Sequence, residues 1–193
     1  MDDAGLTYEP VGVTRTRAGD GTAWCRAGVD RRYRVMVARH RVVRGADERD
    51  RAALVDDVLT WRLHRAAGVR VEADGPAAAG AHVVSLLGAG PLVLRAPCRV
   101  LWADDEGFAY GSLPGHPVAG EEAFRVTRDD AGDVWLEVEA YSRPAVPLTR
   151  VAGPLVPVAQ RLYVANLARA ARLLHGRRAR PGAGEGASGT MGV

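Results

Sequence analysis

The middle of the chain limits the possible folds more than any other part of the sequence. It contains five apolar, strand-like segments, at residues 81–88, 91–103, 107–113, 121–128 and 134–143. The turn sequences GAGP, DDEG and DDAGD connect them, together with a Pro-Gly-His-Pro turn before the fourth segment. Apolar runs of this length, bounded by Gly, Pro and Asp, are typical of β-strands joined by tight turns. The sequence therefore predicts an antiparallel meander.

A strand and a helix are predicted before this meander. Residues 33–43, YRVMVARHRVV, are rich in valine and predict the first strand. Residues 45–68 predict a helix, because apolar residues recur there every three or four positions. Asp47 can cap its start and Gly68 can end it. His64 falls in the last turn, where a cation suits the helix dipole, so we interpret it as a helix-end cation and not as a catalytic base.

A long amphipathic helix is predicted for residues 155–175, with one wide apolar face. Because of Pro154 and Pro157, the regular helix is expected to start only near residue 155 or to be kinked there. Residues 176–193 are rich in Gly, Ala and Arg and contain almost nothing to bury, so a disordered tail is predicted there. We expect a single α+β domain over residues 1–175 that begins with an extended N-terminal lead-in.

The order of elements indicates the fold class. A strand, a helix, five further strands and a long helix predict an α+β protein whose curved antiparallel sheet of about six strands grips the C-terminal helix. This is the helix-grip arrangement, and it leaves room for a cavity between the sheet and the helix. A plain two-layer α+β sandwich has nearly the same order of elements and stays open at this point.

Charge composition argues against a nucleic-acid partner. The chain has 26 basic and 23 acidic residues, for a formal net charge of +3, and every basic residue is arginine. Coding bias accounts for the arginines, and selection for bidentate phosphate binding is the alternative. The arginines are scattered among acidic residues and form no basic patch, so we expect no nucleic-acid binding.

Cysteine usage and hydropathy exclude several further classes. Cys25 and Cys98 are too few for a disulfide framework or a metal-binding knuckle, and we expect neither a metal site nor a cofactor. The N-terminus is polar and acidic, unlike a signal peptide. No apolar run approaches the ~20 residues that span a bilayer. A cytoplasmic protein with no membrane span is therefore predicted, and the sequence leaves its oligomeric state open.

The stretch LPGHPVAGEEAFRV at residues 113–126 holds the main site candidates, His116, Glu121 and Glu122. Successive strand side chains point to opposite faces, so only one of the two glutamates can face the cavity. Parity with the apolar Phe124 selects Glu122, and Glu121 then lies on the outer face. Glu122 is interpreted either as an acid–base group or ligand anchor, or as a carboxylate that holds the Pro-Gly-His-Pro turn through its backbone amides.

Further polar residues are predicted at the mouth of the cavity. We expect the ligand to be oriented by five side chains: Tyr110, His116, Glu122, Tyr141 and Arg143. Cys98 alternates with cavity-facing residues and is expected to be a small buried hydrophobe and not a nucleophile. Trp135 and Tyr141 are predicted to face outward, where they mark either an interaction surface or a patch covered by the N-terminal segment.

Five segments together resemble a known family: GLTYEPVGVTR, TWRLHRAAGVRVEA, GPLVLRAPCRV, FAYGSLPGHPVAGEEAF and AYSRPA. They resemble the uncharacterised bacterial and plant domain-of-unknown-function family numbered nineteen-ninety, over about residues 6–175. The resemblance implies no activity and no catalytic residues. It implies a START-like fold, and START-like domains typically hold a hydrophobic small molecule or lipid.

Three functions are compatible with these patterns. The first is binding of a small hydrophobic molecule or lipid in the cavity between the sheet and the C-terminal helix. The second is an enzyme of the cyclase or hydrolase kind that uses Glu122 or His116 as its acid–base group in the same cavity. The third is a protein-interaction module that works through the outer Trp135 and Tyr141 face.

Overall fold

An antiparallel sheet forms the frame of the computed structural model, which describes residues 5–18, 22–89, 92–153 and 155–179. Within these ranges the sheet has seven strands in the order β1-β7-β6-β5-β4-β3-β2. In chain order they are β1 (Arg34–Val43), β2 (Arg70–Ala73), β3 (His82–Ala89), β4 (Leu92–Ala103), β5 (Gly107–Ser112), β6 (Val118–Arg128) and β7 (Val134–Pro144). The predicted meander is confirmed, and the first strand closes it by pairing with the last.

One strand of this sheet was not predicted. β2 has only four residues, RVEA, and pairs with β3 at the sheet edge. Its sequence lacks a run of apolar residues, because alternate side chains are exposed. Short polar edge strands of this kind protect a sheet from pairing with other chains.

Five α-helices of the described residues accompany the sheet, four on its concave face and the short first helix with the N-terminal segment on the opposite face. They are α1 (Thr22–Arg26), α2 (Glu48–Leu59), α3 (Arg62–Ala66), α4 (Pro147–Ala152) and α5 (Leu155–Arg178). Asp47 caps α2 as predicted, in a capping box with Asp50. The C-terminal helix is also confirmed. It ends at Arg178, so residues 176–178, which were assigned to the disordered tail, are helical. The predicted tail from residue 180 onward lies outside the described residues, as does the tip of the GAGP turn.

The predicted helix at 45–68 is in fact two helices. Trp61 adopts a left-handed conformation with φ 63° and separates α2 from α3. This break turns the Trp61 ring into the core, where its centroid lies 4.8 Å from that of Phe108. Its indole nitrogen donates a hydrogen bond to the carbonyl oxygen of Gly75 at 2.8 Å. Burial of the large ring offsets the strain of the left-handed turn.

The main core lies between the concave face and the helices. Sheet residues such as Phe108, Phe124 and Leu136 pack there against α2, α3 and the C-terminal part of α5. The buried side chains of α5 begin only at Val164. The preceding turns, residues 155–163, are therefore seated less deeply than the rest of the helix.

The N-terminal segment, residues 6–18, lies on the opposite face of the sheet. It forms a second apolar cluster with α1 and with Tyr141, separate from the main core. Trp24 at the centre of this cluster is fully buried. No helix of the described residues is long and apolar enough to cross a bilayer.

Candidate functional site

A small cavity of about 30 Å³ lies on the concave face, between the sheet and the N-terminal part of α5. Three of the predicted ligand residues, Tyr110, His116 and Glu122, line it. The other lining residues are Cys98, Ser112, Val118, Gly120, Glu121, Ala140, Ser142 and Gln160. A volume of this size holds about one or two water molecules. The cavity is therefore a polar niche in an otherwise filled interior.

Strand register places Glu122 in this niche. Glu122 on β6 pairs with Tyr110 on β5 and with Ala140 on β7, so these three side chains share one face. Phe124 lies two residues further along on the same face and is fully buried in the main core. The inward position of Glu122 agrees with the parity of the sequence.

The protonation of Glu122 is balanced near neutral pH. Burial raises the pKa of its carboxyl group to about 7, and a hydrogen bond from Tyr110 partly opposes that rise. The Tyr110 hydroxyl donates to a carboxylate oxygen of Glu122 at 2.8 Å. Burial and the Tyr110 hydrogen bond account for the pKa of Glu122, and no cationic side chain is among its causes. Its carboxyl group can therefore gain or lose a proton under physiological conditions.

His116 is a neutral side chain that shapes the turn beside the niche. Its Nδ1 lies 2.6 Å from the carbonyl oxygen of Val118 and 3.1 Å from the amide nitrogen of the same residue, so the ring is held against the Val118 backbone. Burial lowers the pKa of His116 to about 4. It is therefore not the cationic partner of Glu122. The turn is held further by the Thr149 hydroxyl, which donates to the carbonyl oxygen of Pro117 at 2.7 Å.

Glu121, and not Glu122, acts as the structural carboxylate. It is 2% exposed on the outer face and accepts hydrogen bonds from the N-terminal segment. The backbone amides of Gly12 and Thr14 each donate at 2.8 Å, and the Tyr8 hydroxyl donates at 3.2 Å. The Tyr141 hydroxyl lies 3.2 Å from the same carboxylate. The Thr14 hydroxyl adds a further donor. This carboxylate fastens the N-terminal segment to the sheet.

A buried ion pair strengthens the same contact. Arg125 donates to Glu139 at 2.9 Å, and both side chains are under a tenth exposed. The backbone amide of Ala18 also donates to Glu139, at 3.0 Å. The Arg125 guanidinium stacks on Trp102, 4.7 Å from the ring centroid. The N-terminal segment is thus fixed at two neighbouring points.

The remaining two predicted ligand residues do not reach the niche. Tyr141 lies on the outer face, donates to the carbonyl oxygen of Pro10 and packs edge-on against Trp24 with centroids 5.6 Å apart. Arg143 lies near the same segment, 5.6 Å from the centroid of the Tyr33 ring, and lines an open cleft there. The five predicted residues are therefore divided between the two faces of the sheet.

The outer aromatic pair is largely covered. Tyr141 is fully buried beneath the N-terminal segment. Trp135 is partly buried: Arg39 stacks on its ring at 3.9 Å, and its indole nitrogen donates to Asp129 at 2.8 Å. Of the two interpretations of this patch, coverage by the chain itself accounts for Tyr141.

Sequence reasoning missed three polar residues of the niche, Ser112, Ser142 and Gln160. Gln160 on α5 donates through Nε2 to the Ser142 hydroxyl of β7 at 3.2 Å, so the helix and the sheet meet there. Gln160 lies four residues before Val164 and seven before Leu167, which are both buried. That spacing puts Gln160 on the buried helical face and could have identified it.

Two other buried groups bear on chemistry. Burial raises the pKa of the Cys98 thiol well above its usual value, which disfavours a nucleophilic thiolate. His64 is fully buried among aromatic rings and is not the helix-end cation that its position predicted. Within the described ranges no three His, Cys, Asp or Glu side chains gather where they could hold a metal ion.

Comparison with known proteins gives both a family and a fold. A family model described as "Domain of unknown function (DUF1990)" matches residues 7–170. A UPF0548 protein of Deinococcus radiodurans is 49% identical over 75 residues, which are 37% of this chain and 38% of that protein. The matched part thus spans well under half of this curated relative.

Solved structures of similar fold have little sequence in common with this chain. The Zhui aromatase/cyclase from a Streptomyces species matches with a TM-score of 0.57 and 16% identity, over 80% of this chain and 100% of its own. A norcoclaurine synthase point mutant from Thalictrum flavum, in complex with a transition state analogue, matches with a TM-score of 0.55 and 14% identity. That match covers 77% of this chain and 98% of the synthase. These similarities show the START-like fold.

Proposed function

The chain belongs to the family described as Domain of unknown function (DUF1990), and we propose that it binds a small, largely apolar molecule on the concave face, with Glu122 as the polar anchor. The position of Glu122 is the main support for this proposal. Its carboxyl group faces a niche, keeps Tyr110 as its hydrogen-bond partner and has a pKa of about 7. Burial of an ionisable group without a countercharge costs stability, and groups whose pKa is shifted by such burial cluster at functional sites.

Binding requires the niche to widen, because pockets for small organic ligands usually measure about 300–1,000 Å³. The N-terminal part of α5 is the element that can move. Leu155 and Leu162 on this part are 67% and 66% exposed, and buried side chains begin only at Val164. A displacement of residues 155–163 and α4 away from the sheet would enlarge the niche and leave the core under the second half of α5 intact.

The chemistry of the niche defines the ligand class. A protonated Glu122 donates a hydrogen bond to a carbonyl or carboxyl group, and an ionised Glu122 accepts one from a hydroxyl or amine. His116 Nε2 and Gln160 offer further hydrogen-bonding positions nearby. Tyr110 and Phe124 lie next to the carboxyl group and can pack on an apolar ring. The ligand is thus an apolar molecule that carries one hydrogen-bonding group.

Fluorescence titration with the neutral probe N-phenyl-1-naphthylamine tests this proposal. The probe combines two aromatic ring systems, a phenyl and a naphthyl group, with one N–H donor. We expect saturable binding by the native chain and weaker binding by Ala140→Leu, which fills the niche beside Glu122. Glu122→Gln should bind the probe with an affinity that no longer changes between pH 6 and pH 8, since the amide does not titrate near the pKa of about 7.

Two controls make the test specific. Glu72→Gln removes an exposed glutamate of β2 and should bind like the native chain. Thermal unfolding of every variant establishes that the fold is retained. Equal affinity of the native chain and Ala140→Leu for the probe would contradict binding in the niche.

A second candidate is acid–base catalysis on the bound molecule. A carboxyl group with a pKa of about 7 is suited to proton transfer at neutral pH, because both protonation states are populated. In this case Glu122→Gln retains binding of the substrate and loses its conversion. Loss of binding and conversion in equal measure would instead indicate an anchor with no catalytic role.

A further inference from the structure

The helix α5 is apolar on two faces, and the sheet buries only one of them. Its buried face packs on the core through Val164 and Leu167. On the opposite side of α5, Leu155, Val158 and Leu162 are exposed at spacings of three and four residues, and Leu148 and Val151 are exposed on the preceding helix α4. We call these five residues the exposed stripe. A helix that is apolar all round normally has both faces covered.

The exposed stripe is unusual in both its extent and its exposure. Val151 is 87% exposed, and the α5 members span about 10 Å of helix at 1.5 Å per residue. Single apolar residues on a surface need no explanation, but a row of them on one helical face marks an interaction site. The residues are all aliphatic. Protein–protein hot spots favour Trp, Tyr and Arg over Leu and Val, so the composition is better suited to acyl chains.

The residues of α4 and α5 that are charged at neutral pH are all arginines. Between Glu139 and Glu185 the sequence contains no acidic residue, so the expectation that the arginines are scattered among acidic residues does not hold in this part of the chain. Three arginines on α4 and α5, Arg150, Arg161 and Arg169, are exposed and form no ion pair within the described part of the chain. An aliphatic stripe flanked by unpaired cations fits the surface of an anionic bilayer, where the side chains enter the acyl boundary and the guanidinium groups meet lipid phosphates.

A second copy of the chain fits this face less well. Two copies that met through the exposed stripe would bring their unpaired guanidinium groups together, with no acidic residue on either helix to compensate. We therefore propose that the exposed stripe docks the protein peripherally on anionic lipid surfaces. This docking concerns the outside of α4 and α5 and does not depend on ligand binding at Glu122.

Sedimentation of the full chain with sucrose-loaded vesicles tests the proposal. The vesicles contain either phosphatidylcholine alone or phosphatidylcholine with phosphatidylglycerol. We expect binding at least about tenfold stronger to the anionic vesicles. The charge-dependent part should decline as salt rises from about 0.1 M to about 1 M, because the Debye length falls from about 10 Å to about 3 Å.

Matched variants separate the stripe from general surface apolarity. The triple variant Leu155→Gln, Val158→Gln, Leu162→Gln should lose at least about tenfold in partitioning, since its apolar insertion is removed. The control variant Val35→Gln, Val37→Gln, Leu94→Gln changes three other exposed apolar residues and should partition like the native chain.

Three results would overturn the docking proposal. The first is equal partitioning of the native chain to neutral and anionic vesicles. The second is an equal loss in the control and the stripe variants. The third is that the native chain forms a dimer in sedimentation equilibrium and does not bind vesicles, whereas the stripe variant is monomeric. This result would assign the face to a second copy of the chain. A Glu122→Gln variant should partition normally, so failure of the ligand proposal would leave this test unaffected.

Discussion

Replacement of His64 should reduce the acid sensitivity of the fold. The His64 ring is fully buried in α3, with its centroid 4.9 Å from that of Phe124 and 5.6 Å from that of Trp61. Neither ring nitrogen has a hydrogen-bond partner within the described residues. Burial lowers the pKa of His64 from 6.5 to about 4, because a charged ring there would have neither solvent nor a partner.

The sign and size of the effect follow from this pKa. The unfolded chain binds a proton at His64 below about pH 6.5, and the folded chain binds it only below about pH 4. Protons therefore favour the unfolded state between these values, and stability falls as the pH is lowered across this window. At about 1.4 kcal/mol per pH unit, the full loss attributable to His64 is roughly 3 kcal/mol.

Urea unfolding at a series of pH values from 7 to 4 measures this contribution. His64→Leu keeps a similar volume, removes the titrating ring and should flatten the decline by up to about 3 kcal/mol relative to the native chain. His82→Leu, at an exposed position, is the control. Glu122 acts in the opposite direction, since its raised pKa makes the folded state bind a proton first, but this contribution is common to all three proteins.

If the stability of the native chain and of His64→Leu fell in parallel with decreasing pH, burial would not lower the pKa of His64. This result would mean that the buried ring finds a partner or solvent in the folded protein. A shallower curve for His82→Leu as well would assign the effect to the loss of any histidine and not to burial.

Three further substitutions test how the N-terminal segment is held. Glu121→Gln replaces a carboxylate oxygen by an amide group that faces the hydrogen-bond donors of the N-terminal segment. The free energy of unfolding, measured with urea, should therefore fall by about 2–3 kcal/mol, and limited proteolysis should cleave the N-terminal segment sooner. Gly111→Ala places a methyl group against the hydroxyl group of Tyr8, so amide hydrogen exchange in the N-terminal segment should accelerate. Gly75→Ala is the control, because open space surrounds Gly75 and amide exchange in the segment should not change. Glu139→Gln leaves the buried Arg125 without its countercharge and should cost about 3–5 kcal/mol in the same urea assay, and a loss under about 1 kcal/mol would show the pair to be solvated.

The fold was largely predictable because its signals are local. Strand alternation and turn residues defined the meander, and the apolar period of three to four defined α5. The same alternation separated Glu121 from Glu122 correctly. The break at Trp61 was not predictable from this period, because burial of one large ring overrides the helical preference of its neighbours.

The contents of the site depended on contacts between distant segments. Tyr141 was named as a ligand residue although its strand parity predicted the outer face, and it lies on that face, where the N-terminal segment supplies its partners. Gln160 reaches the niche from a helix far along the chain. Charge pairing was equally non-local, since Arg95 pairs at 3.3 Å with Glu72 on the unpredicted edge strand. One sequence carries no direct signal for such pairings.

Amide chemical shifts of the full chain, followed during titration with N-phenyl-1-naphthylamine, test directly whether the probe binds at the niche. Binding at the niche predicts the largest changes at Tyr110, Glu122 and Gln160, with smaller changes along residues 155–163 as that part of α5 moves. The largest changes at Tyr33 and Arg143, in the outer cleft, would contradict the assignment of the ligand site to the concave face.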